Sequence, residues 1–113
     1  MDLSVILNLH DEKEYVESTL KSLVSSIKIA QKQGYSVELI VILDSSTDDF
    51  YNFVDVLLKT FCESIPFILE SVSFGSLGLS RQLGLSFASG FFIATADGDD
   101  IVSSHYFLNS ILF

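Results

Sequence analysis

Short apolar runs and helix-period segments alternate along the whole of this chain, and that alternation leaves few folds open to it. Leu3 to Leu9 is a mostly apolar run of strand length. Asp11 and Glu14 then stand at capping-box spacing before a segment whose apolar positions, Val16, Leu20, Leu23, Val24, Ile27 and Ala30, recur every three or four residues. Gly34 lies just beyond, where a left-handed residue commonly ends a helix. Val37 to Leu43 reads as a second buried strand, and Ser46 and Asp49 repeat the capping spacing ahead of Phe50, Phe53, Val54, Leu57, Leu58 and Phe61. That helix should end near Cys62 to Ser64, before Pro66. Phe67 to Val72 forms a third strand, Leu79, Leu83 and Phe87 mark a third helix closed by Gly90, and Phe91 to Ala96 reads as a fourth, buried strand. The order βαβαβαβ predicts an α/β fold: a parallel sheet with right-handed crossovers, covered by helices in three αβα layers. No internal repeat, low-complexity tract or linker interrupts it.

With 49% hydrophobic residues, 113 residues suffice for one packed core. Six Lys and Arg stand against 15 Asp and Glu, a formal charge of −9, and no segment gathers the cations that neutralise a nucleic acid. Nucleic acid is therefore not expected as a partner. The single Cys62 excludes an intramolecular disulfide and is expected in the core. Met1-Asp2-Leu3-Ser4 lacks the basic region of a secretory signal, and no apolar stretch approaches the roughly 18 residues that suggest a membrane span.

Chemistry concentrates in Asp97-Gly98-Asp99-Asp100, three carboxylates directly behind the fourth apolar run. Charges so close repel and raise one another's pKa unless a cation or water-filled space offsets them. The competing reading is a solvated acidic turn. Two further polar segments, Asn8 to Glu12 and Asp44 to Asp48, also follow strand C-termini, so all three should open on one crevice. Helix N-termini there would offer N–H groups to phosphate, and Mg²⁺ or Mn²⁺ would reconcile an acidic crevice with an anionic ligand.

Taken in order, three motifs resemble those of the family 2 glycosyltransferases. Leu3-Ser4-Val5-Ile6-Leu7-Asn8-Leu9-His10-Asp11-Glu12 is similar to the family's opening strand and loop, and Ile40-Val41-Ile42-Leu43-Asp44-Ser45-Ser46-Thr47-Asp48 to its Val-Asp-Asp-Gly-Ser-Thr-Asp. Gly78-Leu79-Ser80-Arg81-Gln82-Leu83-Gly84, continuing through Gly90 to Asp97-Gly98-Asp99-Asp100, resembles its Ala-Arg-Asn-x-Gly segment and Asp-x-Asp metal motif. The resemblance implies the Rossmann-like nucleotide-binding half of a GT-A fold. It also implies metal-dependent transfer of a sugar from a nucleotide-sugar, a UDP-sugar above all, to the hydroxyl of a carbohydrate or lipid-linked acceptor.

The same resemblance assigns residues. Asp44 would accept the N3–H of uracil; Asp99 would hold Mn²⁺ or Mg²⁺ on the diphosphate, with Asp97 the other carboxylate of the motif and close to the ribose or sugar, and Gly98 between them. Asn8, Leu9, His10 and Glu12 would line the nucleotide from the first loop. Arg81 would face the nucleotide, a plain surface arginine being the alternative, and Asp100 could cap the following turn. Asn8 stands where the family has Pro, His10 where an aromatic ring often packs, and Leu43 where the first Asp of a pair is usual. His105 lacks a second ligand at recognisable spacing and reads as structural, and Gly84 as a close helix contact.

Residues 1–113 are thus expected to be the donor-binding part of a longer transferase, with the general base and acceptor half beyond Phe113. No Asp or Glu occurs from Ile101 to Phe113. The apolar end, with Phe107, Leu108, Leu112 and Phe113, is expected to be exposed and to promote self-association. A cytoplasmic location is expected, at the inner face of a membrane through regions outside the chain. Two other classes compete: a non-catalytic nucleotide-binding module, and a phosphoacceptor receiver domain, which would need a fifth strand carrying a lysine.

Overall fold

The computed structural model describes residues 1–112. Four parallel strands, β1 (Leu3–Leu9), β2 (Val37–Asp44), β3 (Phe67–Val72) and β4 (Phe92–Asp97), lie in the order β3-β2-β1-β4. Between and after them come α1 (Val16–Lys32), α2 (Asp48–Phe61), α3 (Leu77–Phe87) and α4 (Tyr106–Leu112). The expected three layers are present, because β1 and β2 are apolar on both sides. Leu3, Val5, Leu7 and Leu9, with Val37, Leu39, Val41 and Leu43, meet α1 and α2 in the main core. Ile6, Ile40 and Ile42 face the other way, against Leu83 and Ala88. Leu20, Leu23 and Ile27 of α1 are fully buried, each worth about 1.5–3 kcal/mol relative to exposure. Free Cys62 is in the core as expected, and burial pushes its thiol up to about 11.

The chain builds β1, β2 and β3 outward in one direction, then returns through α3 to lay β4 on the far side of β1. Open parallel sheets bind ligands at the carboxyl ends of their strands where the order reverses in this way. Near the opposite edge of the sheet, the Glu38 carboxylate accepts bonds from Ser4 Oγ at 2.5 Å and from Ser89 N and Oγ at 2.8 Å, while Gly90 N donates to Ser4 Oγ at 2.8 Å. Burial pushes Glu38 up, and the Ser4 and Ser89 bonds outweigh it to leave its pKa lowered. This pins the approach of β4 to β1.

Several local expectations give way to tertiary contacts. Asp11 and Glu14 do not cap α1: Tyr15 is its N-cap without a side-chain bond, and Asp11 Oδ1 instead accepts from Thr47 N at 3.3 Å. Thr47, not Ser46, caps α2, its Oγ1 accepting from Phe50 N at 3.1 Å, because Ser46 Oγ is drawn to the His10 carbonyl. Gly34 does end α1 with φ 92°, but Gly90 does not close α3, which stops at Phe87. Gly90 is required elsewhere, since a Cβ there would lie 2.5 Å from Ser4 N.

The apolar run expected as a buried fourth strand is not buried. Phe91 is 84% exposed, and Phe92 and Ile93 are also exposed, because β4 is an edge strand paired only with β1. The terminal helix shows the reverse. Phe107 is buried in the main core and its N–H donates to Ser26 Oγ at 3.0 Å, so among the described residues of the expected exposed set only Leu112 is exposed, Leu108 being half-buried. Phe113 lies outside the described residues. Among the described residues, no helix is long and apolar enough to cross a membrane.

Candidate functional site

A cleft of about 450 Å³ opens at the carboxyl edge of the sheet. Its floor and walls come from Asn8 and Leu9 at the end of β1, His10 and Glu12 just after it, Asp44 and Ser45 at the end of β2, Gly75 to Leu77 and Ser80 at the start of α3, and Asp97 at the end of β4. Three of these segments are the expected ones. The fourth, the loop from β3 into α3, carries none of the expected site residues, although its placement follows from topology: every strand of a parallel sheet ends at the same edge.

The loops are stitched to one another. His10 Nδ1 lies 2.8 Å from the Asp44 carbonyl, which can only accept, so Nδ1 carries the proton. That bond is the main reason the His10 pKa is raised; burial opposes it, and the nearby charges of Asp11, Glu12 and Asp44 add to it. His10 N in turn donates to Glu12 Oε1, and Glu12 packs over Gly98, where any Cβ would collide with its carboxyl group.

Asp44 has the densest set of partners in the cleft. Oδ1 accepts from Phe74 N at 2.8 Å, Gly75 N at 2.9 Å and Ser45 Oγ at 3.0 Å; Oδ2 accepts from Ser76 N and Ser80 Oγ, both at 2.9 Å. Burial pushes this carboxyl up, but the bonds from Gly75, Ser76, Ser80 and Ser45 together overcome it and hold the group at about 2. Ser45 occupies the left-handed region at φ 58°, the place of Gly in the motif it resembles.

The acidic turn separates its three charges. Asp97 Oδ1 faces Arg81 Nη2 of α3 at 3.4 Å, Asp100 Oδ2 reaches back to accept from Asp97 N at 2.8 Å, and Asp99 projects into solvent. Asp100 therefore caps its own turn, not the following one. Gly98 is buried behind the cleft wall, its carbonyl accepting from Thr19 Oγ1 at 2.9 Å. Arg81 is half-buried on the α3 side, neither a plain surface arginine nor part of the cleft lining. His105 pairs with Ser104 Oγ at 3.1 Å, away from the cleft.

Two groups are left wanting. Asn8 is 5% exposed, and neither Nδ2 nor Oδ1 of its amide has a protein partner; Arg81 Nε is likewise unpaired. Asn8 registers with Asp97 on one side and Ile42 on the other, so this amide belongs to the same sheet face as Asp97 and α3. Leaving a buried polar group unpaired costs about 1–3 kcal/mol, which a polar ligand or ordered water would relieve.

The carboxylates of Asp97 and Asp99 are hard oxygen donors of the kind Mg²⁺ and Mn²⁺ take. Among the described residues, no three His, Cys, Asp or Glu side chains gather into a cage. Such a pair fits an ion that takes the rest of its shell from water and phosphate oxygens.

Comparison with known proteins agrees with this architecture. The model of glycosyl transferase family 2 matches residues 4–112. The minor teichoic acid biosynthesis protein GgaB of Bacillus subtilis (strain 168) is 26% identical over 115 residues, covering 99% of this chain and 12% of GgaB. Residues 1-349 of S. aureus TarS superpose with TM-score 0.81 at 22% identity, over 99% of this chain and 32% of that one, and their complex with UDP with TM-score 0.80 at 21% identity, over 99% and 31%. The mannosyltransferase PcManGT from Pyrobaculum calidifontis, in complex with GDP-Man and Mn²⁺, superposes with TM-score 0.78 at 20% identity, over 94% of this chain and 30% of that one. The chain thus spans about a third or less of each of these relatives.

Proposed function

We propose a function for this chain, which belongs to glycosyl transferase family 2: its cleft binds the nucleoside diphosphate of a sugar donor, together with a divalent cation. The observation that carries this reading is the cleft itself, a concavity at the strand-order reversal of a parallel sheet that combines an unpaired amide with the carboxylate of Asp97. The fold is shared along nearly the whole chain with a TarS complex that holds UDP and a mannosyltransferase complex that holds GDP-Man and Mn²⁺. Of these nucleotides, UDP is the one proposed, in keeping with the motif resemblance.

Asp97 and Asp99 would hold Mn²⁺ or Mg²⁺, which offsets the charge that builds on a departing diphosphate. This chain's own residues orient the donor. Leu9 and His10 wall the nucleotide from β1, Glu12 fixes the His10 backbone, and the Asn8 amide offers both donor and acceptor to a base edge or ribose hydroxyl. Arg81 steadies Asp97 from α3. The acceptor hydroxyl, on a carbohydrate or lipid-linked molecule, is deprotonated by a base outside residues 1–113, so this chain binds a donor better than it turns one over.

Calorimetric titration with UDP tests the reading. Affinity is expected to fall at least tenfold when Mn²⁺ is replaced by chelator, and Asp99→Ala should erase that difference. Equal affinity with and without the ion removes the cation from the site. No heat with either UDP or GDP in the presence of Mn²⁺ overturns the nucleotide reading altogether.

A further inference from the structure

We infer that the free edge of β4 is a docking surface for a second copy of this chain, the two β4 strands pairing antiparallel about a two-fold axis at Ala94. Phe92 N donates to the Asp2 carbonyl at 2.9 Å, so Phe92, Ala94 and Ala96 turn their backbone groups toward β1. Those of Ile93 and Thr95, which alternate with them, point away from the sheet, and among the described residues nothing takes them. The row is closed at one end by Asp100, whose Oδ2 accepts from Asp97 N at 2.8 Å and whose N–H donates to the Asp97 carbonyl at 3.1 Å. At the other end, Phe91 N already donates to the Met1 carbonyl at 3.0 Å. An open row of this kind is a template for another strand.

Charge and register decide which strand fits. The chain carries a formal charge of −9, so two copies meet at least cost where charge is absent, and residues 82–96 hold no Asp, Glu, Lys or Arg. β3, the sheet's other edge, bears exposed Glu70, the kind of charge that guards an edge against pairing. In an antiparallel pair, opposed residues exchange both backbone bonds at every second position. With the axis at Ala94, Ile93 faces Thr95 of the second copy and Thr95 faces its Ile93, which uses all their free groups. An axis at Thr95 would set Ile93 against the occupied groups of Asp97, and one at Ile93 would set Thr95 against Phe91, whose N–H is taken. The register also lays the Phe92 ring across from small Ala96, covering part of the exposed surface of Phe92 and Ile93. The Asp97 carboxylates of the two copies would stand about 20 Å apart along the strands, well beyond a Debye length. A two-fold contact closes on itself, so the assembly stops at two. Phe91 falls at its rim, and the two clefts open at opposite edges of the joined sheet.

Sedimentation equilibrium over about a hundredfold range of concentration tests this. The mass should rise from 12.5 kDa toward twice that value and no further. Ile93→Lys and Thr95→Glu, each shown by circular dichroism to be folded, should separately hold it at the single-chain value. Combined in one chain, they set the new cation opposite the new carboxylate at both cross-strand pairs, and the doubled mass should return. A single-chain mass at every concentration overturns the inference and leaves the edge to a strand of another polypeptide. So does a mass that climbs past two copies, or single variants that still pair. If both single variants stay apart and the double variant does too, the antiparallel register is overturned. Should either charged variant not fold, Thr95→Pro deletes one outward N–H without touching the β1 ladder. It should weaken pairing at least tenfold, and undiminished pairing overturns the inference equally.

Discussion

β1 and β4 lie side by side in register, Leu3 opposite Phe92 and Asn8 opposite Asp97, and both are mostly apolar. Yet every residue of β1 is buried, whereas β4 buries only Ala96. The difference lies in their neighbours. β1 has a strand on each side and helices on both faces, while β4 has β1 on one side only. Apolarity in the sequence marks both segments as strands, but burial is a property of place in the sheet. The exposed group at the mouth of β4, with the Phe91 and Phe92 rings packed edge to face at 5.0 Å, is a surface with no cover among the described residues.

The contrast can be tested most severely by truncation. Leu23→Ala, in the covered core beneath β1, should cost about 2–5 kcal/mol, whereas Phe91→Ala should change stability by no more than about 0.5 kcal/mol, both read from urea unfolding midpoints. Equal losses would show that Phe91 is covered in solution as well, by a pairing of two copies wider than Phe92 to Ala96. A sharper version asks how closely α3 rests on the sheet. A Cβ at Gly84 would lie 2.6 Å from Ile6 Cγ2, a methyl of a fully buried residue. Gly84→Ala should therefore destabilise by about 1 kcal/mol, overpacking outweighing the helix propensity gained; a stabilised variant would mean that α3 stands off β1.

Association separates the two ends of the chain. Exposed strand edges and apolar patches invite self-pairing, so Ile93→Lys should lower the mass seen by light scattering. Leu112→Ser should leave it unchanged, since α4 is already docked through Phe107. The opposite ranking would return the sticky surface to the terminal helix.

Two smaller effects follow from protons. The folded pKa of Asp44 lies below the ordinary 3.8 of an aspartate, at about 2. Its contribution to stability is therefore full above about pH 4 and is lost as pH falls toward 2, a loss that Asp44→Asn should remove from an acid titration. His10 shifts the other way. Its pKa is raised above 6.5, so its contribution is full below that value and is lost as pH rises through the folded pKa. The ring is solvent-exposed, which makes this the smallest effect; NMR titration of His10 should show the raised value, and Asp44→Asn should lower it only slightly, because the main acceptor is a backbone carbonyl and the Asp44 charge is the smaller contribution.

The site was partly legible before the fold was known. Asn8, His10, Glu12, Asp44 and Asp97 were expected together and line one cleft. Gly75, Ser76 and Ser80 were not expected there, although Ser76 and the turn before it sit after a recognisable strand, and the parallel order alone places that loop at the same edge. The capping residues misled for one reason. Asp11 and Ser46 have the right chemistry and spacing to cap a helix, but each found a partner 36 residues away instead.

Periodicity, glycine placement and apolar runs are local properties, so the sequence by itself determined the elements, their order and the parallel sheet they must form. Strand position, the exposure of β4 and four of the five donors on Asp44 depend on segments 30 or more residues apart meeting in space. Only the tertiary structure decided them, because a carboxylate ringed by donors or an unpaired strand edge acquires its energy from what surrounds it.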